Sequence, residues 1–330
     1  MNEQELNYNK EEINDILQKD EIYEKDNIKI KKCTNIENQN YDHLLLTKFN
    51  DIYIGCISKD TFKREEYGLN KYKIQENQKT TPFFLGHWKN NQKDGIGFLK
   101  INDDILYFGE FKNNQIEGKG ALYYRNLKYI YYGYLKNGEF DNGLLINEDK
   151  KIIYEGKFLN MQKNDEYGFI HELKNHKLFI GKFENNKPEK GFRIIYEEKE
   201  DSKNNLELNL NKFYFFDNNN IEKKYKSNIE YDTEFQDKIL EVITPYITKN
   251  YEIIDNYNYE EIKKLIENFE NKINQDKYTQ IEGRYNPGKT KEQIQGKCEF
   301  FFNILIDHFE YFKNEKERQN KIDEIKLLFK

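Results

Sequence analysis

Phe84-Leu-Gly86-His-Trp88-Lys-Asn-Asn-Gln92-Lys-Asp-Gly95-Ile-Gly97 is followed 23 residues later by Tyr107-Phe-Gly109-Glu-Phe111-Lys-Asn-Asn-Gln115-Ile-Glu-Gly118-Lys-Gly120, and this pair decides the fold. The opening block recurs as Tyr131-Tyr-Gly133-Tyr-Leu135, Tyr154-Glu-Gly156-Lys-Phe158 and Phe179-Ile-Gly181-Lys-Phe183. Successive starts across the five copies lie 23, 24, 23 and 25 residues apart. A fixed period in that range marks a stacked array of repeats, and such arrays usually serve as binding surfaces rather than pockets for chemistry.

Within each block an aromatic, a glycine and a bulky residue at alternate positions share one face of a strand. A polar turn follows, Lys89 to Gln92, Lys112 to Gln115, Lys136 to Gly138 or Glu184 to Lys187, built from residues that tolerate left-handed backbone. The chain returns through Gly95 and Gly97, Gly118 and Gly120, Gly143, Gly168 or Gly191 into a second apolar run such as Gly120-Ala-Leu-Tyr-Tyr124. Each repeat is therefore expected to be a β-hairpin. Glycine weakens a strand, so its recurrence at fixed places needs a compensating gain, and the gain expected is room for an aromatic of the neighbouring strand to lie flat over the backbone. On this reading Gly86, Trp88, Gly109, Phe111, Gly133, Gly156, Phe158, Gly181 and Phe183 define the repeat and are structural.

Tyr-x-Gly-x-(Trp/Phe), a polar turn, then Gly-x-Gly and an apolar strand resembles the MORN repeat (membrane occupation and recognition nexus), best at Phe84 to Gly97 and Tyr107 to Gly120. Tyr53-Ile-Gly55-Cys-Ile57 with Tyr67-Gly68 is a weaker earlier copy, and Phe213-Tyr-Phe215 reads as a last copy that has lost its glycine. The resemblance covers roughly residues 50 to 217. It implies a single elongated, twisted antiparallel sheet of about six consecutive hairpins, and with the helical pattern that follows it in the sequence the chain is expected to be mostly β with a C-terminal α part. Similar repeats occur in axonemal and other cytoskeletal proteins, in membrane-junction proteins and beside enzymatic domains, so the resemblance implies an adaptor or scaffold.

The organisation changes at both ends of the array. Residues 1–40 carry ten acidic and six basic residues, with Ile13, Ile16 and Leu17 on one possible helical face, and read as an acidic arm, partly helical or ordered by a partner. The array spans 41–217. Beyond it, 218–330 reads as a helical domain, because the apolar period switches from two to about 3.6. Phe235, Ile239, Val242 and Ile243 mark a first helix ending near Pro245; Ile262, Leu265, Ile266, Phe269 and Ile273 a second; Ile294, Cys298, Phe301, Leu305, Phe309 and Phe312 a third. These helices either cap the last hairpin or dock a partner, and Phe301, Leu305, Phe309 and Phe312 are the partner-binding candidates.

Composition narrows the setting. Aromatic residues make up 15% of the 330, which argues against disorder despite a mean hydropathy of -1.03. No run of about 18 apolar residues is present to span a membrane. The acidic start Met1-Asn-Glu-Gln-Glu lacks the apolar core of a secretory signal, and no Asn-x-Ser/Thr acceptor occurs. Cys33, Cys56 and Cys298 are isolated thiols without metal or disulfide spacing, which fits a reducing compartment. An intracellular protein is the expectation. Residues 84–196 hold 18 Lys and Arg against 15 Asp and Glu, a net +3, while the whole chain is -6. No basic stripe stands out, so nucleic acid is not an expected partner.

One motif points elsewhere. Gly283-Arg-Tyr-Asn-Pro-Gly288-Lys289-Thr290 fits the phosphate-binding pattern G-x-x-x-x-G-K-[ST]. A true phosphate loop follows a buried apolar strand within a parallel sheet, whereas Lys277-Tyr-Thr-Gln-Ile-Glu282 precedes this one and only forty residues follow Thr290. Gly283, Gly288, Lys289 and Thr290 are therefore read as a chance match, with Thr290 the N-cap of the third helix. His43, His87, His171, His176 and His308 are scattered, and the pair at 171 and 176 reads as exposed polar positions on a hairpin. No catalytic residue, metal site, cofactor or small-molecule substrate is expected. The favoured reading is a scaffold that mediates protein–protein contacts in a cytoskeletal assembly, with the ciliary axoneme foremost. The alternative is an adaptor at the cytoplasmic face of a membrane, and nucleotide binding through Gly283 to Thr290 is a distant third.

Overall fold

Two-residue alternation with an Asn-Asn break every 23 to 25 residues leaves the chain one cheap way to bury its aromatics, which is to fold back on itself at each break. The structure, a computed structural model, describes residues 23–25, 28–32, 41–48, 51–58, 60–73, 82–200, 206–217, 233–256 and 320, and its contacts divide the chain after Arg125 into two units. The first unit contains β1 (Tyr23–Lys25), β2 (Ile28–Lys32), β3 (Tyr41–Lys48), β4 (Asp51–Ser58), β5 (Arg64–Lys71), β6 (Phe83–Lys89), β7 (Gln92–Lys100), β8 (Ile105–Lys112) and β9 (Gln115–Tyr124). The second contains β10 (Tyr129–Lys136), β11 (Glu139–Asn147), β12 (Ile152–Leu159), β13 (Gln162–Lys163), β14 (Asp165–Glu172), β15 (Lys177–Glu184), β16 (Lys187–Glu200), β17 (Leu206–Asp217) and helix α1 (Thr233–Asn256). Within each unit the strands pair antiparallel in series as the expected hairpins, except that β12 pairs with both the two-residue β13 and, beyond it, β14.

The glycines fix the register. Gly55, Gly68, Gly86, Gly97, Gly109 and Gly120 stand opposite one another from strand to strand in the first unit. In the second, Gly133, Gly143 and Gly156 form one such line and Gly168, Gly181 and Gly191 another. The turns have positive φ at both central residues: 50° and 69° at Asn90 and Asn91, 49° and 70° at Asn113 and Asn114, 49° and 71° at Asn185 and Asn186. That is the two-residue turn whose twist matches a hairpin, and asparagine tolerates it best after glycine. Gly95 (φ 105°) and Gly118 (φ 101°) then absorb a register shift that a side chain would resist.

Four elements depart from expectation. β1 and β2 fall inside the segment read as an arm, partly helical or ordered by a partner, whose possible helical face at Ile13, Ile16 and Leu17 lies outside the described residues; β2 pairs with β3, because Ile28 and Ile30 alternate with lysines in strand period. β17 does occupy the place of a last copy, but Phe216, not Phe215, stands opposite Gly191, after a bulge between Ile195 and Tyr196. Helix α1 does not end near Pro245; it runs through it to Asn256. Pro245 is exposed, so the carbonyl it leaves unbonded at Glu241, also exposed, can be met by water while Ile239, Ile243, Tyr246 and Ile247 stay buried on the other side. The second and third helices, the candidate anchors Phe301, Leu305, Phe309 and Phe312, and Gly283 to Thr290 lie outside the described residues, as do residues 1–22. No helix among the described residues is long and apolar enough to cross a membrane.

Candidate functional site

The repeat-defining residues assemble on one face of each sheet. In the first unit Tyr53, Trp88, Phe84, Phe111 and Tyr107 meet edge to face in that order, with ring centroids 5.6, 5.1, 5.0 and 5.2 Å apart. In the second, Tyr131, Phe158, Tyr154, Phe183 and Phe179 do the same at 5.4, 5.2, 5.1 and 5.2 Å. Each junction joins a ring of one repeat to a ring of the next or ties two rings within a repeat, and contributes about 0.5–1.5 kcal/mol beyond burial. Every tyrosine of the row lies down along its strand and donates its hydroxyl to the carbonyl three residues on: Tyr53 to Cys56 (2.9 Å), Tyr107 to Glu110 (3.0 Å), Tyr131 to Tyr134 (2.6 Å) and Tyr154 to Lys157 (3.0 Å). Glycine is what permits this. A Cβ at Gly109 would overlap both Tyr107 Oη and Gly120 Cα, and one at Gly120 would meet the same ring. One tyrosine thus covers a glycine of its own strand as well as the neighbouring strand's, where only the latter was expected.

A second repeating device ties one turn to the hairpin before it. Asn91 accepts from the Arg64 N–H (2.7 Å) while its own N–H donates to the Arg64 carbonyl (3.0 Å). Asn114 does the same with Lys93 (2.8 and 3.0 Å) and Asn186 with Lys163 (2.9 and 3.1 Å). At the equivalent place Met161 offers only its sulfur to the Phe140 N–H, at 3.4 Å. The clamped residue is the lid of the aromatic row: the Arg64 guanidinium lies 4.0 Å from the Trp88 ring centroid, Lys93 Nζ 5.6 Å from Phe84, Lys163 Nζ 5.2 Å from Tyr154, and Phe140 stacks on Tyr131 at 3.8 Å. Burial lowers the pKa of Lys163, with Glu172 opposing. The turns were legible as turns; the clamp was not, because its partner sits a whole repeat away.

The opposite face of the second unit carries helix α1. Phe169, Leu178, Ile180, Phe192, Ile194 and Phe213 of the sheet pack with Ile239, Ile243, Tyr246 and Ile247 of the helix. One polar line crosses this core. His171 was expected to be exposed, yet it is 0% exposed, with Nδ1 3.0 Å from Asn250 Nδ2 and Nε2 2.7 Å from Tyr196 Oη. Tyr196 Oη lies 3.1 Å from Tyr251 Oη, and Tyr251 donates to the Glu198 carboxylate, which also lies 3.4 Å from His176 Nδ1. Since a carboxylate only accepts, the direction of the whole chain follows: Tyr196 donates to Tyr251, His171 Nε2–H donates to Tyr196, and His171 Nδ1 accepts from Asn250. Burial, with a smaller push from His176, lowers the His171 pKa to about 3. Burial also holds the Tyr196 hydroxyl far above the usual phenol range, aided by its bond to Tyr251, so it remains a donor. The signal for His171 was present in the sequence, where Phe169-x-His171-x-Leu173 puts it in step with two apolar residues.

Chemically the arrangement holds elements together. Among the described residues no group of three or more His, Cys, Asp or Glu side chains is placed to hold a metal ion. Lys89, Lys112 and Lys136 enter their turns exposed, as do Leu159 (59% exposed) and Glu184, so the outer surface varies from repeat to repeat while the row beneath it does not. No curated protein matches the chain. The MORN repeat family model matches residues 84–103 and 107–127, which are β6 with β7 and β8 with β9, the two hairpins whose asparagine turns and bulge glycines are most regular. The same tyrosine, glycine and aromatic geometry continues on either side of them, and the chain is a MORN-repeat protein.

Proposed function

We propose that this chain is a non-enzymatic scaffold inside the cell, joining proteins of a cytoskeletal assembly, the ciliary axoneme being the assembly favoured. MORN repeats are in general modules of protein and membrane interaction, and the repeat itself is not an enzymatic module. One observation carries the reading: the recurring residues are consumed by the framework. Tyr53, Phe84, Tyr107, Tyr131 and Tyr154 are at most 1% exposed, and the glycines are covered by their rings. The side chains turned to the outer surface are ones that differ between copies, such as the exposed Tyr134 and Lys157 at the position after the repeat's glycine. A constant frame with a varied surface suits several protein contacts along its length. Membrane attachment through the repeats needs several basic residues, each worth roughly 1 kcal/mol at an anionic surface, and a net +3 over 84–196 is thin for that.

Proximity labelling of the tagged full chain in its native cell tests the proposal. Tubulin-associated neighbours support it. A neighbour set of integral membrane proteins, together with salt-sensitive binding of the purified chain to anionic vesicles, replaces it with the membrane adaptor.

A further inference from the structure

We propose that helix α1 is a proton-released latch on the second unit: with the Asn250 amide N–H aimed at His171, its docked position holds the imidazole neutral, so acid frees the helix and bares the apolar sheet face it covers. The geometry is explicit. Asn250 presents an amide N–H to Nδ1 at 3.0 Å, and Tyr196 takes the Nε2 proton at 2.7 Å. A second proton, on Nδ1, would face a donor in a site with no solvent, since His171 and Asn250 are each 0% exposed. The groups around the ring offer little relief. On β12 the residue opposite is Ile153, with buried Glu155 next along that face; β15 places Leu178 beside it; His176 lies past the end of β14 and adds to the push against a charge; β16 supplies Tyr196 and, beyond it, Glu198; α1 supplies Tyr246, Asn250 and Tyr251. Among the described residues the carboxylate connected to the ring is Glu198, reached through two hydroxyls.

The sign of the linkage follows from a pKa held below its free value. Above the ordinary histidine value near 6.5 the helix docks at full strength. As pH falls from there towards about 3, where the docked ring itself would titrate, each unit weakens docking about tenfold. What becomes free is a surface of Phe169, Leu178, Ile180, Phe192 and Ile194. One built-in escape exists: Asn250 Oδ1 is buried without a hydrogen-bond partner, and turning the amide over would offer that oxygen to a protonated Nδ1.

Hydrogen exchange of the full chain between pH 7 and pH 4, corrected for the intrinsic rate at each pH, decides the matter. Protection of amides in 239–250 is expected to fall about tenfold per pH unit below about pH 6 while amides of β10 and β11 hold theirs. In Asn250→Asp a carboxylate faces Nδ1 and accepts its proton, and the fall is expected to be abolished or moved to lower pH; in His171→Phe protection becomes independent of pH over this range. Unchanged protection of 239–250 in the natural chain down to pH 4 overturns the proposal by itself, since the amide then turns and the site takes the proton. An equal fall in the natural chain and in either variant also overturns it, by placing the sensitivity elsewhere.

Discussion

The two faces of the second unit's sheet are built by opposite rules. On one, five aromatics repeat a single contact at spacings of 5.1 to 5.4 Å, and each copy supports the next. On the other, α1 is seated once, by an apolar core and a polar line through His171. Redundancy specifies the fold; the polar line specifies where one helix belongs on it. Apolar packing tolerates sliding, whereas a buried donor opposite the wrong atom costs about 1–3 kcal/mol.

The hardest blow to the repeating face should come from Tyr154→Ala, which removes a ring that is 0% exposed and touches Phe158 and Phe183. A loss of about 3–5 kcal/mol is expected in urea unfolding of the second unit. A loss below 1 kcal/mol would show that the row is ornament and that the strands stand by backbone pairing alone. Gly143→Val comes next, at about 3 kcal/mol, because its Cβ would overlap Gly133 Cα and the Tyr132 carbonyl, backbone that cannot swing aside. Thermal scanning should show the midpoint down by roughly 6–12 °C.

On the helix face, Tyr251→Phe leaves the apolar contacts and deletes the hydroxyl between Tyr196 and Glu198. About 1 kcal/mol is expected, measured by the same urea titration. If it equals the effect of Tyr154→Ala, the polar line rather than the apolar core holds the helix. The smallest change is a gain. Met161→Asn restores the acceptor that Asn91, Asn114 and Asn186 supply at their turns, and at φ 61° asparagine suits the backbone better than methionine. A rise of about 0.5–1 kcal/mol, or roughly 1–4 °C, should follow.

What could be read in advance tracks the same contrast. Tyr-x-Gly-x-Phe announced the strand, its face and its glycine partners, because a property that recurs five times survives any single local irregularity. The clamp is not legible because asparagine is abundant throughout and suits a turn in its own right, so nothing within Lys112 to Gln115 shows that Asn114 reaches back to Lys93. Apolar spacing continues past Pro245 through Tyr246, Ile247 and Tyr251, and it outweighs the proline because burial on one side and water on the other leave the helix intact. The displaced register of Phe216 depends on a bulge at Ile195, which pairing alone creates. His171 was misjudged as an isolated polar residue when its two-residue step with Phe169 already placed it inward.

Each asparagine clamp points backwards, over 27 residues from Asn91 to Arg64, 21 from Asn114 to Lys93 and 23 from Asn186 to Lys163. A ribosome releasing about 5–20 residues per second delivers one such span in roughly 1–5 s, and a hairpin closes in about 1–10 μs. At these three places a new hairpin therefore meets a finished edge as it emerges, and its turn seals the seam behind it. These three seams are stitched in the order of translation, and each waits only for residues about one repeat away.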